Sequence, residues 1–347
     1  MTTPEGGGED GQPMAQAQWA MPGGRVRVDD DALPMEASGP PPVFVGSRRA
    51  RVLSSSLRHL HIAIPPDADG GVLDVTVGHP PRVVGQLLVA RSLATGVHQV
   101  DNPAFDGLGR LYLTHSGSRG VKVPVPIYRL RHDAIREPVA VDLANPTSIA
   151  LGPDGALYIS SRFEGQVYRL TTDDQIELYA SELGVATGLA FGRDGTLYVG
   201  DRSGTVFKVG RDRSVETFAT LPSSVAAFHL AVGPDDCLYV AAPTLASHDP
   251  IYRVTPDRLV DVVCDGFGRP QGLAFDDEGR LYVADALAGA SAIYRLDVSA
   301  GTPVPERLFT TPMVMGLAFD PEGGLVLASN ETVWKLDVPL RPLVLRS

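Results

Sequence analysis

The sequence is poor in cysteine, in basic charge and in long apolar runs, and each shortage excludes a class of protein. Its two cysteines, Cys237 and Cys264, are too few for a disulfide framework, and we expect both to be small buried hydrophobic residues. The net charge is −11, which leaves no excess of basic residues to neutralise phosphates. Nucleic acid is therefore not an expected partner.

No run of about 18 apolar residues occurs, so the sequence predicts no membrane-spanning helix. The first residues, MTTPEGGGEDGQPM, contain neither the basic segment nor the apolar core of a signal peptide. These two absences predict a cytoplasmic protein with no membrane partner.

The motifs of several enzyme classes are missing as well: G-x-S-x-G, GxxxxGK[ST], H-E-x-x-H and C-x-x-C do not occur. His229 is the best single candidate for a general base, and His248 with Asp249 is a candidate pair in a longer loop. Because no nucleophile stands at a diagnostic spacing from either histidine, a structural role is favoured for both.

Glycine and proline, by contrast, are abundant, at 37 and 29 residues spread along the chain, which predicts many turns and short strands. One short strand, alternating apolar and polar residues, recurs six times. The copies are IYRL at 127–130, VYRL at 167–170, VFKV at 206–209, IYRV at 251–254, IYRL at 293–296 and VWKL at 333–336. A strand beginning LY or LV precedes each copy, and its first leucine recurs at intervals of 46, 40, 41, 43 and 44 residues.

Each repeat predicts four strands. A turn such as GPDG at 152–155 precedes the LY strand, a small-residue strand such as GLAF at 272–275 precedes the turn, and a more polar strand such as IELYAS ends the unit. Four strands in about 40–50 residues is the period of a β-propeller blade, so six copies predict six blades. A β-sandwich, the main alternative, gives no reason for a sixfold repeat.

A propeller closes its ring when a strand from one end of the chain completes the blade at the other end. Two segments are candidates for this strand: VVGQLLVA at 83–90 and PLVLR at 342–346. The sequence leaves the choice between them open.

Repeat units such as PQGLAFDDEGRLYVAD at 270–285, followed by IYRL, resemble the NHL repeat. The resemblance extends over roughly 99–347, and the units are also similar to those of the gluconolactonase and senescence-marker (regucalcin-like) propellers. It implies a six-bladed propeller domain over 80–347. A propeller hosts many functions, so the resemblance does not by itself assign one.

The N-terminal part differs in composition from the repeats. Residues 1–20 are rich in glycine, proline and glutamine and predict a disordered tail. Residues 21–79 alternate short apolar runs with Gly and Pro breaks, which predicts a small immunoglobulin-like β-sandwich. Its Pro22-Gly23-Gly24, Val45-Gly46 and Ile64-Pro65 elements resemble an IPT/TIG domain, although DDDALP stands where that family has a Gly-x-x-Phe element. His59 and His61 are expected on the solvent face of a strand.

The starts of the innermost strands are expected to line the central channel of the propeller. Ten residues before each LY-strand leucine stand Asp101, Thr147, Thr187, Phe228, Gln271 and Met315. Nine residues before it stand Asn102, Ser148, Gly188, His229, Gly272 and Gly316. Because neighbouring strand residues face opposite ways, we expect only one set, the first, to line the channel.

The gluconolactonase resemblance implies a divalent metal held by Glu, Asn and Asp at such positions, with an Asp as the base. Here Asp101 stands for Glu, Phe228 for Asn and Gln271 for Asp, and Asp101-Asn102-Pro103 replaces the family's Glu-Gly-Pro. Phe cannot ligate a cation and Gln is a poor base, so the sequence predicts no metal site and no cofactor. A divalent cation is expected only under the lactonase alternative.

The loops between the second and third strands of the blades carry more charged residues than the starts of the inner strands. Arg119, Lys122, Arg162 and Arg202 come from three consecutive blades, and Asp201, Glu164, Asp249 and Asp285 lie in the same loops. An arginine cluster suits a carboxylate, sugar acid or phosphate, because the guanidinium fork binds planar oxyanions in a bidentate manner. Ordinary turn chemistry is the alternative explanation.

The sequence therefore favours a non-enzymatic, all-β binding module at the channel mouth, for a protein or for a small molecule, with an anion as one candidate. The alternatives are a metal-dependent lactone hydrolase with an altered site, using Asp101, Gln271 or His229, and a scaffold without a small ligand. The candidate ligand-binding residues are Asp101, Asn102, Arg119, Arg162, Asp201, Arg202, His229, Gln271 and Asp285.

Overall fold

A computed structural model describes residues 17–34, 39–131, 135–139 and 141–345. All regular secondary structure in these ranges is β-strand, as predicted. The described residues contain no helix that is long and apolar enough to span a membrane. Most of the predicted tail, residues 1–16, lies outside the described ranges.

Seven strands form the N-terminal unit, in the order β1-β7-β6-β3-β4-β5-β2. They are β1 (Gln18–Ala20), β2 (Arg25–Asp29), β3 (Val43–Val45), β4 (Arg48–Ser55), β5 (His59–Ala63), β6 (Gly71–Val77) and β7 (Arg82–Val89). The first part of β4 pairs with β3 and the second part with β5. The sheet therefore folds over one apolar core, to which alternate residues such as Val26, Val28, Leu60 and Ile62 contribute.

Both predicted boundaries of the N-terminal unit need correction. Residues 18–20 are not tail, because β1 pairs in parallel with β7. The unit also ends later than residue 79, because Leu87 and Val89 of β7 are buried in its core. The exposed positions of His59 and His61 on β5 are confirmed.

Six four-stranded antiparallel sheets follow, as the repeat predicts. After β8 (Arg91–Thr95), blades 1 to 3 contain β9 (Ala104–Phe105), β10 (Leu111–Thr114), β11 (Ile127–Leu130), β12 (Arg136–Val139), β13 (Pro146–Leu151), β14 (Leu157–Ser161), β15 (Gln166–Leu170), β16 (Ile176–Ala180), β17 (Ala186–Phe191), β18 (Leu197–Asp201), β19 (Thr205–Val209) and β20 (Val215–Thr220). Blades 4 to 6 contain β21 (His229–Val232), β22 (Leu238–Ala241), β23 (Asp249–Val254), β24 (Val260–Phe267), β25 (Pro270–Phe275), β26 (Leu281–Asp285), β27 (Ala292–Leu296), β28 (Glu306–Thr310), β29 (Gly316–Phe319), β30 (Leu325–Ala328) and β31 (Thr332–Leu336).

Neither predicted segment closes the ring. The fourth strand of blade 6 is β8, which pairs with β31 through contacts such as Ala94 with Val333. Residues 83–90 belong largely to β7 of the N-terminal unit instead. The outermost strand of a blade is half exposed, so the closing strand is the polar RSLAT and not the more apolar run beside it.

Residues 340–345, here called the C-terminal strap, cross the lower end of the channel, where the inner strands end. The backbone N–H of Asp277 donates to the Arg341 carbonyl at 3.0 Å, and that of Leu343 donates to the Phe275 carbonyl at 3.0 Å. The strap therefore adds no strand to a blade; it spans from blade 6 toward blades 5 and 4.

The N-terminal unit packs on blades 5 and 6. Met21 is fully buried among residues of these blades, and Trp19 meets Phe309 edge-on with ring centroids 6.3 Å apart. The Thr310 hydroxyl bonds both the N–H and the carbonyl of Arg25. The two units thus share apolar contacts as well as hydrogen bonds.

Near their upper ends the inner strands of neighbouring blades approach within backbone contact. A Cβ atom on Gly188 would overlap the Phe228 carbonyl oxygen, and one on Gly316 would overlap the carbonyl oxygen of Asp101. Gly316 and Asp101 belong to the last and first blades, so this glycine contact lies where the ring closes.

We therefore expect Gly316→Ala to destabilise the propeller by about 3 kcal/mol, because a backbone carbonyl cannot move aside as a side chain can. Urea unfolding measures the change. Gly107→Ala is the matched control, since a Cβ there meets nothing within 4 Å. Equal midpoints for the two variants would contradict the proposed close contact between blades 6 and 1.

Candidate functional site

A buried polar cluster crosses the channel at the level of these glycine contacts. The Nδ1 atom of His229 lies 2.5 Å from Oδ1 of Asp101, and its Nε2 atom lies 2.8 Å from Oε1 of Gln271. The three side chains are between 0% and 2% exposed. Blades 1 and 4 are opposite in a six-membered ring, so the contact of Asp101 with His229 spans the channel.

Asn102 completes this cluster. Its Nδ2 donates to the Leu273 carbonyl at 2.7 Å, and its Oδ1 accepts the Leu317 N–H at 2.9 Å. One side chain from blade 1 is thus bonded to blades 5 and 6. We call Asp101, Asn102, His229 and Gln271 the polar plug.

The expectation that only one set of strand positions reaches the channel is wrong. His229 comes from the second set, yet it contacts Asp101 and Gln271 of the first, while Phe228 is buried in an apolar cluster beside Gly200. The register of blade 5 shifts between Pro270 and Leu273, whereas blade 4 pairs regularly from His229 onward. Such a bulge sets two residues against one, which breaks the alternation on which the expectation rested.

The polar plug does not fit the divalent cation that the gluconolactonase resemblance implies. An Asp101 oxygen and the Gln271 oxygen both face the His229 ring, and Phe228 offers no oxygen. A hard cation needs several oxygen ligands directed at one point. Within the described ranges, no group of three or more His, Cys, Asp or Glu side chains is arranged to hold a metal ion.

Above the plug, the second-to-third-strand loops surround the channel mouth with equivalent positions. In four of the six blades, the residue five places after the LY-strand leucine donates its backbone N–H to the loop that enters the same blade. These pairs are Ser116 to His98, Arg162 to Asn145, Arg202 to Val185 and Ala286 to Arg269. Ser116, Arg162 and Arg202 therefore occupy the same position in three consecutive blades.

Each of these three side chains carries a buried polar atom without a hydrogen-bond partner among the described residues: Ser116 Oγ, Arg162 Nε and Arg202 Nε. Arg162 donates from Nη2 to the Gly117 carbonyl at 3.1 Å, and Arg202 donates from Nη2 to the Val225 carbonyl at 3.0 Å. Burial, followed by the charges of Arg202 and Arg119, lowers the pKa of Arg162. We call Ser116, Arg119, Arg162 and Arg202 the cationic mouth.

Among the described residues, no carboxylate is paired with an arginine of the cationic mouth. Within the part of the chain that the structure describes, none of Arg119, Arg162 and Arg202 has a carboxylate oxygen within 4.0 Å, in contrast to Arg110 with Asp106 at 2.6 Å. Lys122, predicted as part of the same cluster, instead pairs with Asp142 at 2.7 Å.

The other predicted residues have backbone partners. Asp285 accepts the N–H groups of Gly268 and Arg269, and Asp201 accepts those of Val185 and Ser203. Asp249 accepts the Thr244 N–H and hydroxyl, and the structure gives it no bond to His248. These carboxylates hold their own loops, and their binding role stays a prediction.

Sequence reasoning missed Asn145, which shapes the rim. Its amide donates to the carbonyls of Ser116 and Ser118 and accepts the Gly120 N–H. Its backbone adopts φ of 47°, a conformation that Asn tolerates better than most residues. The only signal is an Asn-Pro step at the entry to blade 2, which is too common to single out.

Two histidines, also missed, lie beside the cationic mouth. The rings of His98 and His115 are 6.0 Å apart and nearly perpendicular. Burial, the charge of Arg162 and His115 lower the pKa of His98 below its ordinary value of 6.5. The neutral form of His98 is therefore favoured, and its pKa depends in part on the charge of Arg162 at the mouth.

The polar plug predicts a large effect of His229→Ala on stability, because Asp101 would become a buried carboxylate without its partner. We expect a loss of about 3–5 kcal/mol in urea unfolding. Adding Asp101→Asn to this variant should recover part of the loss, since it removes the charge. His248→Ala, at an exposed histidine, is the control, and a loss as small as that of the control would disprove the pairing.

The pKa of His98 predicts a second effect. Arg162→Ala should raise it toward 6.5, which an NMR titration of the ring proton measures. Arg307→Ala, at an exposed residue of β28 in the outer strand of blade 5, should leave it unchanged. Because the folded-state pKa lies below the unfolded value, His98 contributes stability that is complete above about pH 6.5 and is lost as the pH falls. An unchanged titration in Arg162→Ala would refute the proximity of the two groups.

No family model matches the sequence. No curated protein matches it either. Solved structures do resemble the fold: a protein of unknown function from Bacteroides thetaiotaomicron VPI-5482 is 15% identical with a TM-score of 0.58, over 94% of this chain and 98% of that one.

A candidate gluconolactonase is 18% identical with a TM-score of 0.59, over 74% of this chain and 93% of its own. Virginiamycin B lyase from Staphylococcus aureus, solved as an inactive variant with quinupristin, is 14% identical with a TM-score of 0.53, over 90% and 99%. At such identities the likeness shows the fold alone: the chain is an all-β propeller with gluconolactonase-like and lyase neighbours, and its NHL and IPT/TIG labels remain predictions.

Proposed function

We propose that the protein is a binding module for a small anionic molecule, held at the cationic mouth, and that it is not an enzyme. The observation that carries this proposal is a row of buried donors on Ser116, Arg162 and Arg202, in three consecutive blades, that have no hydrogen-bond partner among the described residues. A buried donor without a partner costs about 1–3 kcal/mol, which an acceptor on a ligand would offset.

The charge of the site supports an anion. The whole chain has a net charge of −11, yet three arginines lie together at the mouth, where burial, followed by the charges of Arg202 and Arg119, lowers the pKa of Arg162. The guanidinium groups have planar N–H forks that match carboxylate and phosphate oxygens. Phe163, 52% exposed next to Arg162, adds an apolar surface that suits a ligand with a carbon skeleton.

Lactone hydrolysis is the alternative and finds less support. A general base needs a lone pair within reach of the substrate, whereas both ring nitrogens of His229 face oxygen atoms of the protein. Asp101 is likewise buried and engaged. A hydrolase would therefore need the polar plug to open.

A thermal-shift and calorimetric panel of inorganic phosphate, gluconate and glucuronate at constant ionic strength tests the proposal. We expect at least one anion to bind saturably, and Arg162→Ala and Arg202→Ala each to weaken it about tenfold to a hundredfold, since a charge-assisted hydrogen bond is worth about 1.5–3 kcal/mol. Arg307→Ala is the control, because it removes the same charge from an exposed outer strand.

Two results would overturn the proposal. One is stabilisation by no anion beyond that by chloride; the other is equal weakening by Arg307→Ala, which would indicate general charge attraction. Lactone turnover that survives purification and is lost in Asp101→Asn would instead establish the hydrolase alternative.

A further inference from the structure

A second compartment of the channel lies below the polar plug. It is a cavity of about 890 Å³, bounded above by Asn102 and Leu273 and below by Pro342, Leu343 and Leu345 of the C-terminal strap. Five of the six inner strands contribute their small alanine to its wall. These residues are Ala104, Ala150, Ala231, Ala274 and Ala318.

The volume of the cavity is that of a ligand site. It is partly open to solvent, and pockets that hold small molecules span about 300–1,000 Å³. The repeat keeps it open, because an alanine stands where a larger residue would fill the space.

The strap gives the cavity a fixed lower wall. It is bonded to blade 6 through the Leu340 carbonyl and the Gly324 N–H at 2.9 Å, and to blade 5 through Leu343 and Phe275. Leu343 and Leu345 pack on the apolar clusters of neighbouring blades, while Val344 is 65% exposed. Leu343 and Leu345 therefore both pack on the blades and line the cavity.

The wall of the cavity is mainly apolar and also contains two arginines. Side chains such as Ile149, Phe191 and Phe319 line the cavity together with Arg193 and Arg211. Arg193 is paired with Asp236 at 2.9 Å. Arg211 donates from Nε to the Asp194 carbonyl at 2.8 Å and, among the described residues, has no carboxylate within 4.0 Å.

We propose that this lower cavity is a second binding site, for a molecule with an apolar body and a single acid group, such as a medium-chain fatty acid, whose carboxylate pairs with Arg211. The site is separate from the cationic mouth, because the buried polar plug lies between them. The proposal of a lower site is therefore independent of the proposed function at the cationic mouth.

Calorimetric titration of the full-length protein with octanoate, decanoate and 1-octanol tests the proposal. We expect saturable binding at a ratio of one to one, with decanoate roughly tenfold tighter than octanoate because two more CH₂ groups are buried. Octanoate should bind more tightly than 1-octanol in the unaltered protein and not in Arg211→Ala. Arg193→Ala, which removes an already paired charge from the same wall, should keep this preference.

Filling the cavity separates this site from other apolar surfaces. Ala231→Phe should abolish decanoate binding, and Ala318→Leu serves the same purpose from blade 6 if the first variant fails to fold. Arg162→Ala should leave decanoate binding unchanged. The proposal is overturned by the absence of saturable binding, by full binding in a folded cavity-filled variant, or by loss of binding in Arg162→Ala, which would place the acid group at the upper mouth.

Discussion

Closure of six blades into a ring requires their inner strands to meet within backbone contact, and this constraint organises the whole channel. Glycine at 188, 272 and 316 permits the approach, since a side chain there would overlap a neighbouring strand. The narrow space that remains is crossed by Asp101, Asn102, His229 and Gln271, whose bonds join blade 1 to blades 4, 5 and 6. Buried polar side chains are tolerated at this level of the channel because each has a hydrogen-bond partner there.

The plug leaves two compartments of opposite chemistry. The upper one contains cationic side chains with buried donors that lack partners, and the lower one is an apolar cavity of about 890 Å³. An unpaired buried donor lacks a hydrogen bond, and the apolar wall of an open cavity lacks protein atoms on one side. Such departures from local consistency are expected where a protein binds other molecules.

The sequence predicts the architecture better than the site. Sixfold repetition of the LY strand and its neighbours sufficed for the blades, their strands and their turns. The closing strand could not be identified, since the outer edge of a blade is polar and RSLAT carries no apolar signal. His229 was named as a candidate, but its contact with Gln271 joins a blade with a bulge to one without, which periodicity does not encode. Nor does the sequence show which arginines are paired with a carboxylate and which are not.

Within the repeat, the residues four and five places after the LY-strand leucine make different hydrogen bonds. At the fourth, the side chains of Asp201 and Asp285 accept backbone N–H groups of their own loops, so a change there disturbs the fold. At the fifth, the main chain bonds the entering loop in blades 1, 2, 3 and 5; in blade 4, Pro243 has no N–H to donate, and its carbonyl accepts the Val225 N–H instead. The side chains of Arg162 and Arg202 at this position also donate to the carbonyls of Gly117 and Val225 in the neighbouring blades. Three consecutive blades thus present serine and two arginines to the mouth, and each arginine binds a neighbouring blade through Nη2 while its buried Nε has no partner among the described residues.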